Sequence, residues 1–102
     1  AMRNPCFDVK AKFTLTGKEN IFSGYRPAFL IGDYLTTGRV DFETQEMLKK
    51  DAAIEGVITF IAPEEYPHSL DIGMRIFFQE GAKVVGYAEI LEIYNDILNM
   101  KL

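Results

Sequence analysis

Apolar and polar residues alternate most plainly over residues 6–16. Phe7, Val9, Ala11, Phe13 and Leu15 share one phase, and Asp8, Lys10, Lys12, Thr14 and Thr16 share the other. A period of two predicts a strand with one buried and one wet face, as in an antiparallel sheet. The same period returns over residues 71–92, where Met74, Ile76 and Phe78 alternate with Arg75, Phe77 and Gln79. Glu80-Gly81-Ala82-Lys83 then predicts a two-residue type II′ turn, because glycine at the first central position takes the positive φ that the turn needs. Glu80 and Lys83 would face each other as opposite charges. Residues 84–93 form the return strand. A bulge is predicted at Gly86-Tyr87-Ala88, since strict alternation from Val85 would carry Glu89 into the core.

Between these segments the pattern predicts three more strands. Pro27, which has no N–H to give to a ladder, marks the beginning or an edge of a strand over residues 28–32. Thr36-Thr37-Gly38-Arg39 predicts a turn into a short strand over residues 39–43. The continuous apolar run over residues 56–62 predicts a strand through the centre of the core. Residues 44–53 read two ways. Thr44 caps one or two helical turns that start with Gln45 and Glu46 and end near Lys49 and Lys50, or the segment is extended. Residues 16–20 and 63–67 read as loops. Residues 95–102 predict a terminal helical turn capped by Asn95 or Asp96 and packed through Ile97 and Leu98. Six short strands separated by turns predict an all-β fold. A closed six-stranded antiparallel barrel is preferred to a sandwich because closure removes the edges of such apolar strands. Phe13, Phe29, Val57, Phe60, Ile76, Phe78 and Val85 are the expected core.

Composition narrows the function classes. The chain has 102 residues, which predicts a single domain, and Ala1 ahead of Met2 reads as a cloning remnant. Its formal net charge of -4 argues against binding nucleic acid mainly through phosphates. One cysteine and one histidine, Cys6 and His68, leave no cysteine-ligated zinc site and no Cys-His nucleophile. Cys6 reads as a small core hydrophobe and His68 as an exposed loop residue. Glu64, Glu65 and Asp71 read as a solvated loop. No apolar run is long enough to span a membrane, and Arg3, Asp8, Lys10 and Lys12 interrupt any signal-peptide core. A cytoplasmic, reducing setting is expected, with neither a metal nor another cofactor.

Gly24-Tyr25-Arg26-Pro27-Ala28-Phe29 is followed by Thr37-Gly38, then by Ile54, Val57-Ile58-Thr59-Phe60-Ile61 and Pro63. After a longer loop come Gly73-Met74-Arg75, Glu80-Gly81 and Val85-Gly86. As a set these residues resemble the third, C-terminal domain of elongation factor Tu, in that family's order, over roughly residues 9–94. The resemblance implies the six-stranded barrel. It also implies a free-standing copy of one part of a three-part GTPase. No phosphate loop of the G-x-x-x-x-G-K-[ST] type is present, so GTP hydrolysis is not expected and the protein reads as a non-enzyme.

In that family the domain packs on the GTPase domain and touches the T-stem of aminoacyl-tRNA. The family's Arg-His pair after the first strand corresponds to Gly17-Lys18. Its basic position before the loop proline corresponds to Ala62, the arginine ending its second strand to Gly32, and its hairpin Arg-Glu-Gly to Gln79-Glu80-Gly81. Lys18, Glu80 and Gly81 therefore remain as RNA-contact candidates while the arginines are gone, so any tRNA binding should be weak. Arg26 and Arg75 are expected to pack their stems and to place their heads on carbonyls or carboxylates. Gly24, Tyr25, Pro27 and Gly86 read as structural members of the motif.

Phe77 should point outward if Met74, Ile76 and Phe78 point inward. The resemblance places Phe77 and Ala28 on the surface that meets the GTPase domain, at positions that are small and polar respectively in the family. Two apolar replacements there suggest a docking patch for a protein partner or for a second copy of the chain. Three functions follow as expectations. The first is a translation-factor-like interaction module. The second is a decoy or immunity-type protein that captures a basic toxin or regulator aimed at elongation factor Tu. The third is a small-molecule binding barrel.

Overall fold

A computed structural model describes residues 7–102. Ala1 and Cys6, and what the pattern predicts of them, lie outside the described residues. Six strands close an antiparallel barrel: β1 (Val9–Leu15), β3 (Ala28–Ile31), β4 (Tyr34–Phe42), β6 (Ala53–Phe60), β7 (Arg75–Glu80) and β8 (Lys83–Ile93). Their order around the barrel is β1-β6-β4-β3-β7-β8, with β8 returning to β1. β2 (Asn20–Phe22) and β5 (Met47–Lys49) form a separate two-stranded sheet. It contributes Ile21 and Leu48 to the core.

The inward phase of each strand meets in one aromatic-rich core. Phe13, Phe29 and Phe78 are fully buried. Ring contacts run Phe42–Phe13, Phe13–Phe78, Phe78–Phe29, Phe29–Phe60 and Phe60–Tyr66, with centroids 5.9, 6.3, 5.8, 5.6 and 5.8 Å apart. Offset and edge-on contacts of this kind add to plain burial. Asp8 is the one buried carboxylate among the described residues. Its Oδ2 accepts from the Phe60 N–H at 2.7 Å, and its Oδ1 accepts from the Asn95 side-chain amide at 2.8 Å. The N–H groups of Tyr94 and Asn95 both donate to its carbonyl. Asp8 thus ties the chain beyond β8 to the end of β6.

Several expectations need correction. The chain turns at Gly32-Asp33 and not at residues 36–39: Ile31 pairs with Tyr34, and Gly32 has φ 60. Gly38 lies inside β4 because a Cβ there would meet the Phe29 ring at 2.9 Å, so it is a packing glycine. Residues 44–53 hold no helix. Met47–Lys49 is a strand paired with β2, and the helical alternative fails because Leu48 is drawn into the core by β2 pairing. β6 ends at Phe60, leaving Ile61 exposed. Val57 is buried but lies outside the core cluster, in a shallow outer groove beside Phe7, Phe42 and Tyr94. An unbroken apolar run carries no phase, so the sequence does not say which of its residues point inward. The bulge is real but earlier. Gly86 pairs with Phe78 while Val84 pairs with Gln79, which leaves Val85 as the extra residue. Residues 96–98 form a 3-10 turn with Asn95 accepting from the Ile97 N–H; Leu98 is buried, whereas Ile97 stays partly exposed.

Candidate docking face

β3, β4, β7 and β8 present their outward phase on one side of the barrel. Register aligns Leu35 with Leu30, Leu30 with Phe77, and Phe77 with Tyr87. The result is one uncharged apolar row across four neighbouring strands, about 14 Å long at the usual strand spacing. Leu35, Leu30 and Phe77 keep 49%, 38% and 49% of their surface exposed and are contiguous where most exposed apolar residues are single. The Phe77 ring meets Tyr87 edge-on at 6.3 Å. The next row runs Thr37, Ala28, Gln79, Val84 and is also uncharged. Ala28 and Phe77, the two docking candidates, are thus diagonal neighbours on one face.

The other outer side is different. Asp41 pairs with Val57, Val57 with Lys10 and Lys10 with Glu92. The Lys10 ammonium sits 3.3 Å from Glu55, 3.7 Å from Glu43 and 3.8 Å from Glu92. Its pKa is raised, first by the hydrogen bond to Glu55 and then by the charge of Glu43. Three glutamates share the one ammonium, so this side keeps a net negative charge around Lys10.

The remaining motif residues fall in two places. At the hairpin turn, Gly81 has φ 58 and Ala82 does not share the positive region, as a type II′ turn requires. Lys18 donates to Glu80 at 2.7 Å, and the Tyr25 hydroxyl donates to the same Glu80 oxygen. Lys18 also lies 5.5 Å from the centre of the Tyr25 ring. The two contacts hold the Glu80 carboxyl below its usual value, with Lys18 the larger cause. Burial, and then Glu80, pushes the Tyr25 phenol up. The three RNA-contact candidates Lys18, Glu80 and Gly81 therefore lie together, with the one cation already neutralised. Gly86 is held by packing, since a Cβ would meet the Thr14 carbonyl oxygen at 2.2 Å.

Arg75 follows the expectation: its Nε is 3.6 Å from Glu89 and its guanidinium lies 4.8 Å from the Tyr87 ring centre. Arg26 does not. The Gly24 N–H donates to the Val40 carbonyl, the Gly38 N–H donates to Pro27, and the guanidinium between them has no carboxylate or carbonyl partner among the described residues. It borders a groove of about 220 Å³ that Arg39 also lines. His68 is exposed, and its ring Nδ1 is 2.8 Å from the Asn99 carbonyl oxygen. Leu30, Leu35, Tyr87 and Arg39 are the residues the sequence reading missed. Leu30 lies inside an unbroken apolar run, and Leu35 precedes a turn that does not exist, so neither showed its outward phase.

Fold and surface together define a class: a closed all-β barrel with a contiguous apolar row, bordered by the Arg75–Glu89 pair, on one side and a Lys10–glutamate cluster on the other. No protein-family model matches the chain. Among the described residues, no group of three or more His, Cys, Asp or Glu is placed to hold a metal ion, and no helix is long and apolar enough to cross a membrane.

Proposed function

We propose that this barrel is a non-enzymatic protein-docking module, translation-factor-like in build, that binds a protein partner through the face built on Leu35, Leu30, Phe77 and Tyr87. The observation that carries this reading is the charge-free row across four strands. The resemblance to the third domain of elongation factor Tu supports it, because the same face contains the positions that meet the GTPase domain in that family. A cytoplasmic setting suits the single cysteine. The pairing of Lys18 with Glu80 favours protein docking over tRNA binding. The barrel axis is filled by Phe13, Phe29 and Phe78, which favours an outer-surface ligand over a small molecule in the lumen.

Phe77→Glu tests the reading. The substitution should leave the denaturation midpoint within a few tenths of a kcal/mol, because the site is half exposed. It should abolish stoichiometric recovery of a cross-linked protein from RNase-treated lysate, or of a second copy of the chain in sedimentation equilibrium. A variant that keeps the same partner and the same mass in solution would overturn it.

A further inference from the structure

The groove beside this face carries a more specific reading. Tyr25 bridges to Val40 and Ala28 pairs with Thr37, which sets Arg26 directly opposite Arg39. Like charges opposed across strands cost stability. Arg39 is held by Asp41, which accepts from its Nε at 2.8 Å and leaves the terminal amino groups of the guanidinium for another acceptor. Arg26 has no ion pair among the described residues. Arg26 is exposed and borders the groove, so its charge is open to a ligand there. Thr37, Gly38, Thr59, Phe60 and Ile61 complete the groove. Its volume is several times that of a water molecule, enough for the side chain of an Asp or Glu.

We propose that the cleft between Arg26 and Arg39 binds a carboxylate side chain of an acidic peptide segment in the partner protein. Two guanidinium groups facing one opening suit a planar carboxylate, which each can grip through paired N–H groups. The anion would also relieve the repulsion between the two arginines. Leu35, Thr37 and Arg39 point outward in succession along β4, about 7 Å apart. The cleft is therefore continuous with the apolar row. An extended segment could lay an apolar side chain on Leu35 and Leu30 and, a few residues on, a carboxylate between the arginines. A nucleic acid needs a run of phosphate contacts, whereas only two arginines line this cleft and an uncharged apolar row adjoins it. The proposal rests on the docking reading for its choice of a peptide; the anion contact itself does not.

The test is an amide and arginine Nε NMR titration with capped Leu-Asp-Leu-Asp-Leu. Its Leu-Asn-Leu-Asn-Leu counterpart, sodium phosphate and an oligouridylate serve as the other arms. Saturable shifts at Thr37, Gly38, Arg39 and the Arg26 Nε are expected with the acidic peptide, roughly tenfold weaker with the Asn peptide. Arg26→Ala and Arg39→Gln should abolish them. Arg26→Ala alone should leave the ligand-free melting temperature unchanged or higher, since it removes an unpaired like charge. Equal response to the Asn peptide, a stronger response to phosphate or oligouridylate, or a lower melting temperature for Arg26→Ala would each overturn the proposal. Phe77→Glu separates the two readings: shifts that survive at Thr37 to Arg39 keep the carboxylate cleft even if the apolar row fails as a docking face.

Discussion

Gly86 shows how one missing methyl group shapes this barrel. An added Cβ would sit 2.7 Å from the Phe78 ring as well as against the Thr14 carbonyl. Backbone on one side and a fully buried ring on the other leave little room to yield. Gly86→Ala should therefore cost about 1–3 kcal/mol or more, the usual range for overpacking, and urea denaturation would read it. An unchanged midpoint would mean that β8 can shift away from β1. Glu80 makes a second prediction at this scale. Its carboxyl is held below the ordinary value by Lys18 and Tyr25, so its contribution is present above the unfolded-state pKa and is lost as pH falls through the folded one. Wild type should melt higher than Glu80→Gln at neutral pH, and the two should converge in acid. The gap will be small because both partners face solvent. Parallel melting curves at every pH would contradict the assignment.

At the scale of elements, Asp8 is the joint between β6 and the segment that follows β8. It satisfies the Phe60 N–H inside the protein, where no water competes. Asp8→Ala would strand that donor, and an unsatisfied buried donor costs about 1–3 kcal/mol. Hydrogen exchange at the Phe60 amide should accelerate along with the loss in stability. Retained protection there would show that another acceptor takes over. Elements also explain the outer face. The outward phase of a strand is free to be apolar or charged, because the core does not constrain it. β3 and β7 carry Leu30 and Phe77 there, while β1 carries Lys10 and Lys12.

For the whole molecule, the aromatic chain from Phe42 to Tyr66 passes through the barrel and joins residues from five elements. Phe78→Ala removes the ring that touches Phe13, Phe29 and Tyr25 and should cost about 3–5 kcal/mol. That is a large share of a domain's total stability, so the variant should unfold at much lower urea. Charge distribution belongs to this scale too. With Lys18 neutralised and a net charge of -4, binding to aminoacyl-tRNA should be weak at physiological salt, with a shallow dependence on salt concentration. Tight binding with a steep slope would reveal a basic surface.

The sequence alone determined the strands whose two faces differ. β1 and the β7–β8 hairpin announce themselves because charge on one phase and apolar residues on the other leave one register that buries a core. The turn at Gly81 follows from a backbone conformation that glycine favours. From these, and the strand count, an all-β closed barrel was legible. Elsewhere the tertiary structure decided. Gly38 reads as a turn until the Phe29 ring is seen to fill the space of its missing side chain. Met47–Lys49 has no strand signal of its own and becomes one only when β2 lies beside it. The outward row was half legible: Phe77 follows from alternation within its own strand, but Leu30, Leu35 and Tyr87 join it only through pairing between strands. The opposition of Arg26 and Arg39 is likewise a fact of register. Pairing between distant segments sets which side chains share a face, and no local pattern in the chain encodes that register.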